Sequence, residues 1–134
     1  MENQLQSNKD LVIQLFKSVF EEKNPDFIKI TQLLSSSYIQ NVNGKVINYS
    51  DFISHIKAQR LVVDQIKIQF IDILSEGNKV STHHIVDVYK KTGDLSKFEV
   101  FAIFTVQNNK VIACNELTRL ISGSSDDEDL GSRT

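Results

Sequence analysis

The sequence holds one cysteine, one proline, one methionine and no tryptophan in 134 residues. With Cys114 alone, neither an internal disulfide nor a thiolate metal cluster can form, so the expected setting is a reducing compartment, most simply the cytoplasm. Neither sign of charge dominates. Fifteen Lys and Arg against seventeen Asp and Glu leave a formal net charge of −2, which gives no electrostatic argument for nucleic acid or an anionic membrane. No apolar run approaches the roughly 20 residues that span a bilayer. The start, "MENQLQSNKD", lacks the apolar stretch of a secretion signal. His55, His83 and His84 do not share ligand spacing on one element, which argues against a bound metal. Glycine-rich phosphate loops, a Ser/His/Asp order and internal repeats are all missing, and no cofactor is implied.

What remains is an ordinary globular composition, 40% apolar and 24% charged, at a length that suits one domain with one sizeable core. The period of the apolar residues changes once. In "DLVIQLFKSVFEE", residues 10–22, Leu11, Leu15 and Val19 recur every fourth residue, as do Val12, Phe16 and Phe20, which predicts an amphipathic helix of about four turns. "NPDFIKITQLL" predicts a shorter helix capped by Asn24 with Pro25 in its first turn, ended by the serines at 35–37. "YIQNVNGKVIN" reads as two short extended pieces around a turn at Asn43-Gly44. A third helix, "SDFISHIKAQR", is capped by Ser50 and turns Phe52, Ile53 and Ile56 to one side, leaving His55 on the surface.

From residue 62 the period is two. "DQIKIQFIDIL" puts Ile66, Ile68, Phe70 and Leu74 on one face, with Asp72 interrupting it as either a pocket acid or a bulge. "KVSTHHIVDVYKK" follows, then "FEVFAIFTV", apolar on both faces like a central strand covered on both sides, and finally "KVIACNELTRLI". Three helices before a four-strand antiparallel meander make an α+β fold with segregated elements. The last stretch, "SGSSDDEDLGSRT", is too polar to bury enough surface to order itself.

Helix, helix, short hairpin, helix and long meander, together with "YIQNVNG", the Lys-Val-Ile that opens the last strand and "NELTRLISG" that finishes it, resemble the nuclear-transport-factor-2-like superfamily in its SnoaL-like branch. The resemblance covers roughly residues 8–122. It implies a cone-shaped, cystatin-like fold, with three N-terminal helices packed on a curved, mostly antiparallel sheet around an apolar pocket. Residues 1–122 are then a single SnoaL-like domain and 123–134 an acidic, Ser/Gly-rich tail. Related epoxide hydrolases carry Tyr-x-Asn on the first short strand and an Arg/Asp pair on a middle one. This chain reads Tyr38-Ile39-Gln40 and has no such pair, and the middle strand offers only Glu99 where ketosteroid isomerases need a second acid.

Within that frame, Tyr38 and Gln40 share one face of the short strand and are candidates to hold a ligand oxygen. The plain alternative for Tyr38 is a core ring with a satisfied hydroxyl. His83 and His84 point to opposite faces. His84, beside Val80, Thr82, Val86 and Val88, is the candidate general base, or else a satisfied core histidine. On the last strand, alternation places Cys114, Glu116 and Thr118 together, and period alone does not decide which face looks inward. The resemblance implies Glu116 inside the pocket as an acid of raised pKa, with Thr118 beside the substrate; the alternative is an ion pair at the sheet edge. Cys114 reads as an apolar filler.

Two functions stay open. One is a small cofactor-free enzyme that applies a buried acid/base to an apolar small molecule, as an isomerase, cyclase, hydrolase or dehydratase. The other is a non-catalytic module that binds a small molecule or a protein. In either case the apolar second face of "FEVFAIFTV" leads to the expectation of a homodimer, with no nucleic acid and no membrane as partners.

Overall fold

A computed structural model describes residues 2–124. Most of the tail expected at 123–134 therefore lies outside the described residues. The chain runs α1 (Glu2–Phe16), a π-helical turn (Lys17–Glu21), α2 (Phe27–Leu33), β1 (Leu34–Val42), β2 (Lys45–Asn48) and α3 (Tyr49–Val62). Four long strands complete it: β3 (Val63–Glu76), β4 (Lys79–Lys90), β5 (Leu95–Gln107) and β6 (Lys110–Ser122). They form one sheet in the order β2-β1-β6-β5-β4-β3. Every neighbouring pair is antiparallel except β1 with β6. The expected α+β architecture, three helices on a mostly antiparallel sheet, is the one observed. No helix among the described residues is long and apolar enough to cross a membrane.

The helix boundaries differ from the sequence reading, each for a local reason. α1 begins at Glu2 although its first turns are polar, because Gln4 donates to Asn8 at 2.8 Å and Gln6 to Asp10 at 3.0 Å along i, i+4. α2 is capped by Asp26, not Asn24: its carboxylate accepts the Ile28 and Lys29 amides. α3 is capped by Asn48, not Ser50, in a reciprocal box with Asp51. At the end of α1 the Glu22 amide reaches back to the Lys17 carbonyl at 3.1 Å. That wider turn frees the Val19 and Phe20 carbonyls, and the Arg60 Nη2 caps both at 2.9 and 2.6 Å.

Bulges re-aim three strands. Ser35–Ser37 loop out of the β1–β6 pairing between Leu34 and Ile39, after which Tyr38, Gln40 and Val42 turn inward. The β3 register shifts between Phe70 and Asp72, so Ile73 faces the core while Asp72 and Leu74 are exposed. This corrects Leu74; the unpaired bulge residue is Ile71, and Asp72 just beyond it pairs with His83. In β6 the register shifts at Ile112, so Val111 and Cys114 are both buried. β5 departs from expectation in another way. Val100, Ala102 and Phe104 are in the core, but Phe101 and Ile103 are about half exposed, at 53% and 49%. The strand is covered on one side only.

Candidate functional site

Between the helices and the concave face of the sheet lies a cavity of about 90 Å³. It is small against the roughly 300–1,000 Å³ of sites for drug-sized ligands. Leu15, Phe16 and Phe20 close it from α1 and the π-helical turn, and Phe52, His55 and Gln59 from α3. The floor is the sheet, where valines and phenylalanines of β4 and β5 surround a few polar groups. Tyr38, Gln40, His84, Glu116 and Thr118, singled out from the sequence on three separate strands, all line it.

The parallel pairing of β1 with β6 brings most of them together. Gln40 stands opposite Cys114, and Val42 opposite Glu116. The Tyr38 hydroxyl donates to Gln40 Oε1 at 2.6 Å in a buried bond, and shares a further hydrogen bond with Cys114. With its carbonyl taken by Tyr38, Gln40 has amide N–H groups to offer an oxygen. Burial, then the neighbouring Cys114 and Glu116, push the Tyr38 pKa well above its ordinary value. Burial likewise raises Cys114, which leaves a thiol rather than a thiolate. Thr118 is fixed through its backbone, whose amide donates to Asn43 Oδ1 at 2.9 Å.

Among the described residues, Glu116 is the single carboxylate in the lining. Burial raises its pKa to about 7, because the charged form loses its water without gaining a cation. Near neutral pH both the protonated and the ionised form are accessible. His84 is displaced the other way. Burial, aided by His83, lowers its pKa to about 4, so the imidazole is neutral. Its Nδ1 lies 3.0 Å from Thr82 Oγ1, and its ring meets Phe16 edge-on at 4.8 Å between centroids. In this cavity the glutamate is a stronger base than the histidine. The ordinary order of basicity is inverted.

His55 is not on the surface: it is 2% exposed and lines the cavity with Gln59 one turn further on. Sequence reasoning missed both. The signal was present, since residues 52, 55, 56 and 59 make a helical stripe, but two of its four members are polar. His83, as expected, faces away from the cavity. It binds Glu99 at 2.9 Å on the outer surface of the sheet, and Arg119 reaches the same carboxylate at 2.8 Å. Among the described residues no group of three or more His, Cys, Asp or Glu is placed to hold a metal ion.

No protein-family model matches the chain. It is 32% identical over 127 residues to the uncharacterized protein C11D3.04c of Schizosaccharomyces pombe, covering 95% of this chain and 97% of that one. Among solved structures, AclR of Streptomyces galilaeus, assigned as a hydroxylase, superposes with a TM-score of 0.75 at 12% identity, over 97% of this chain and 88% of its own. An LEH-like epoxide hydrolase of M. tuberculosis gives a TM-score of 0.72 at 14% identity over 96% and 91%. IdmH of Streptomyces antibioticus, assigned as a polyketide cyclase, gives 0.72 at 10% over 93% and 96%. At these identities the structural likeness is one of fold.

Proposed function

From a chain that belongs to one family with the fission-yeast protein and has the nuclear-transport-factor-2-like, SnoaL-like fold, we propose a small acid/base enzyme acting on a compact apolar molecule. The observation that carries this reading is a carboxyl group in an apolar cavity, the lone one there among the described residues, with its pKa raised to about 7. Glu116 in its acid form donates a proton to a substrate oxygen held by the Gln40 amide, and recovers one as the product forms. Tyr38 fixes Gln40 in place. His84, too weak a base to take the proton at neutral pH, contributes a neutral hydrogen bond, with Thr82 on Nδ1 and Nε2 for the ligand. Thr118 bounds the substrate beside Glu116. These side chains suffice for isomerisation, cyclisation, ring opening by water or dehydration, all of which need proton transfer at an oxygen and no cofactor.

The same cavity used only for binding is the second reading, favoured by the lack of a second carboxylate in the lining among the described residues. A screen of small epoxides, enones and hydroxyketones separates the two. An enzyme turns one over, and Glu116→Gln lowers that rate by roughly 10²–10⁴-fold while leaving affinity within a few fold. Binding without turnover, or a Glu116→Gln variant as fast as the parent, rejects the catalytic role. Carbon NMR of the Glu116 carboxyl provides an independent check: a midpoint below pH 5 would remove its basis.

The proposed enzyme is a cytoplasmic homodimer. Phe101 and Leu117 are paired across β5 and β6 on the outer face, at 53% and 69% exposure, with Ile103 beside them. Glu99–Arg119 and Asp87–Lys97 ion pairs flank this apolar centre, so both signs of charge are available to a two-fold copy of the same surface. Light scattering should report twice the 15.2 kDa chain mass, and Phe101→Glu should return it to one. A parent that stays at the single-chain mass at micromolar concentration rejects the dimer.

A further inference from the structure

Gln59 stands on the inward face of α3 and lines the cavity with only 7% of its surface exposed. Its Oε1 is buried and has no hydrogen-bond partner. An acceptor left in that state is destabilising, and most buried polar groups avoid it. A leucine would fill similar space without the penalty. Three other polar groups of the lining have partners: Tyr38 is bonded to Gln40, and His84 to Thr82. Gln59 also belongs to a different wall. Glu116, Tyr38 and Gln40 rise from the sheet, whereas Gln59 descends from the helical side. Aromatic rings lead from one to the other, Tyr38 to Phe52 at 5.2 Å and Phe52 to His55 at 6.1 Å.

We infer that the ligand carries two oxygen functions on its apolar body: one that meets Glu116, and a hydroxyl that donates to Gln59 Oε1. This rests on the small-molecule site proposed above and narrows its ligand class. A hydroxyl both gives and takes a hydrogen bond, so it satisfies the Gln59 amide in either orientation. An analogue without it leaves a buried amide unpaired, and sites of that kind discriminate strongly against the lacking ligand. Gln59 is a specificity residue and takes no part in proton transfer. Its empty-site penalty is what binding relieves.

The test uses cyclohexanone and 4-hydroxycyclohexanone, which differ only in the hydroxyl. The parent protein should bind the hydroxyketone at least about tenfold more tightly, and the Gln59 side-chain amide resonances should move with that ligand alone. Gln59→Leu should bind the two ketones equally. Without ligand it should melt a few degrees above the parent, since an unpaired polar group has been removed from the interior. Equal binding of both ketones by the parent, with the Gln59 resonances still, overturns the inference and leaves the pocket standing. If neither ketone perturbs any cavity residue, the small-molecule reading fails and the inference with it. A lower melting temperature for ligand-free Gln59→Leu would mean that the fold itself uses the amide, and would also overturn it.

Discussion

The sheet carries a histidine and a glutamate on each of its faces, and the two sets have opposite fates. On the outer face His83 and Glu99 are 2.9 Å apart with Arg119 added. Hydrogen bonds from Arg119 and then His83 hold the Glu99 carboxyl below its ordinary range. On the inner face burial has driven both groups toward neutrality, Glu116 up to about 7 and His84 down to about 4. Residue type is the same, and for the histidines even the sequence neighbourhood is shared. Alternation along β4 alone sends one to water and ions, the other against Phe16 and Phe70. Charge in this molecule is thus a property of the face.

The sharpest way to break the comparison is at Glu116. Its folded pKa exceeds the unfolded value, so the folded state binds the extra proton and loses stability as pH rises from about 4.5 to 7. Glu116→Gln lacks that penalty. Chemical denaturation should find it more stable than the parent at pH 8 by up to about 3 kcal/mol, and equal to it near pH 4. His84→Gln should show the mirror image. The parent's imidazole resists protonation, so stability falls as pH drops from 6.5 toward 4. The variant gains below pH 5, by roughly 1–2 kcal/mol, part of the benefit being offset by lost ring contacts with Phe16 and Phe70. Because the two slopes oppose each other between pH 4.5 and 6.5, these groups leave the parent's profile nearly flat there. Each single variant uncovers the slope of the other. The outer set should give the smallest response: Glu99→Gln should move the melting temperature by no more than about 2 °C at any pH, and less in high salt.

That contrast was partly legible in the sequence. Strict period two through β4 and β5 separates His83 from His84 and Phe101 from Ala102 without ambiguity, since no bulge interrupts β4 against β5 from Lys79 to Tyr89. β6 was ambiguous because the shift at Ile112 exchanges its faces, and a bulge leaves no mark that alternation can read. Glu116 was therefore placed inward by resemblance and not by period. The α3 wall left only a partial signal, for a different reason. Hydrophobicity marks a buried stripe only when its members are apolar, and His55 and Gln59 are buried as polar groups that line a cavity. Both caps were misjudged by two residues because several residues near each start can accept the same amides.

The position of β6 bears on how the protein is made. The last strand of the described chain lies third in the sheet, between β1 and β5. Emerging from a ribosome, the chain can zip β3, β4 and β5 and pair β1 with β2, yet it must wait with two open edges until residues 110–122 are released. The polar cluster has the same timetable: Tyr38 and Gln40 are synthesised early, and Glu116 only joins them when the keystone strand is inserted. A prematurely terminated chain would expose the apolar floor without ever owning an acid.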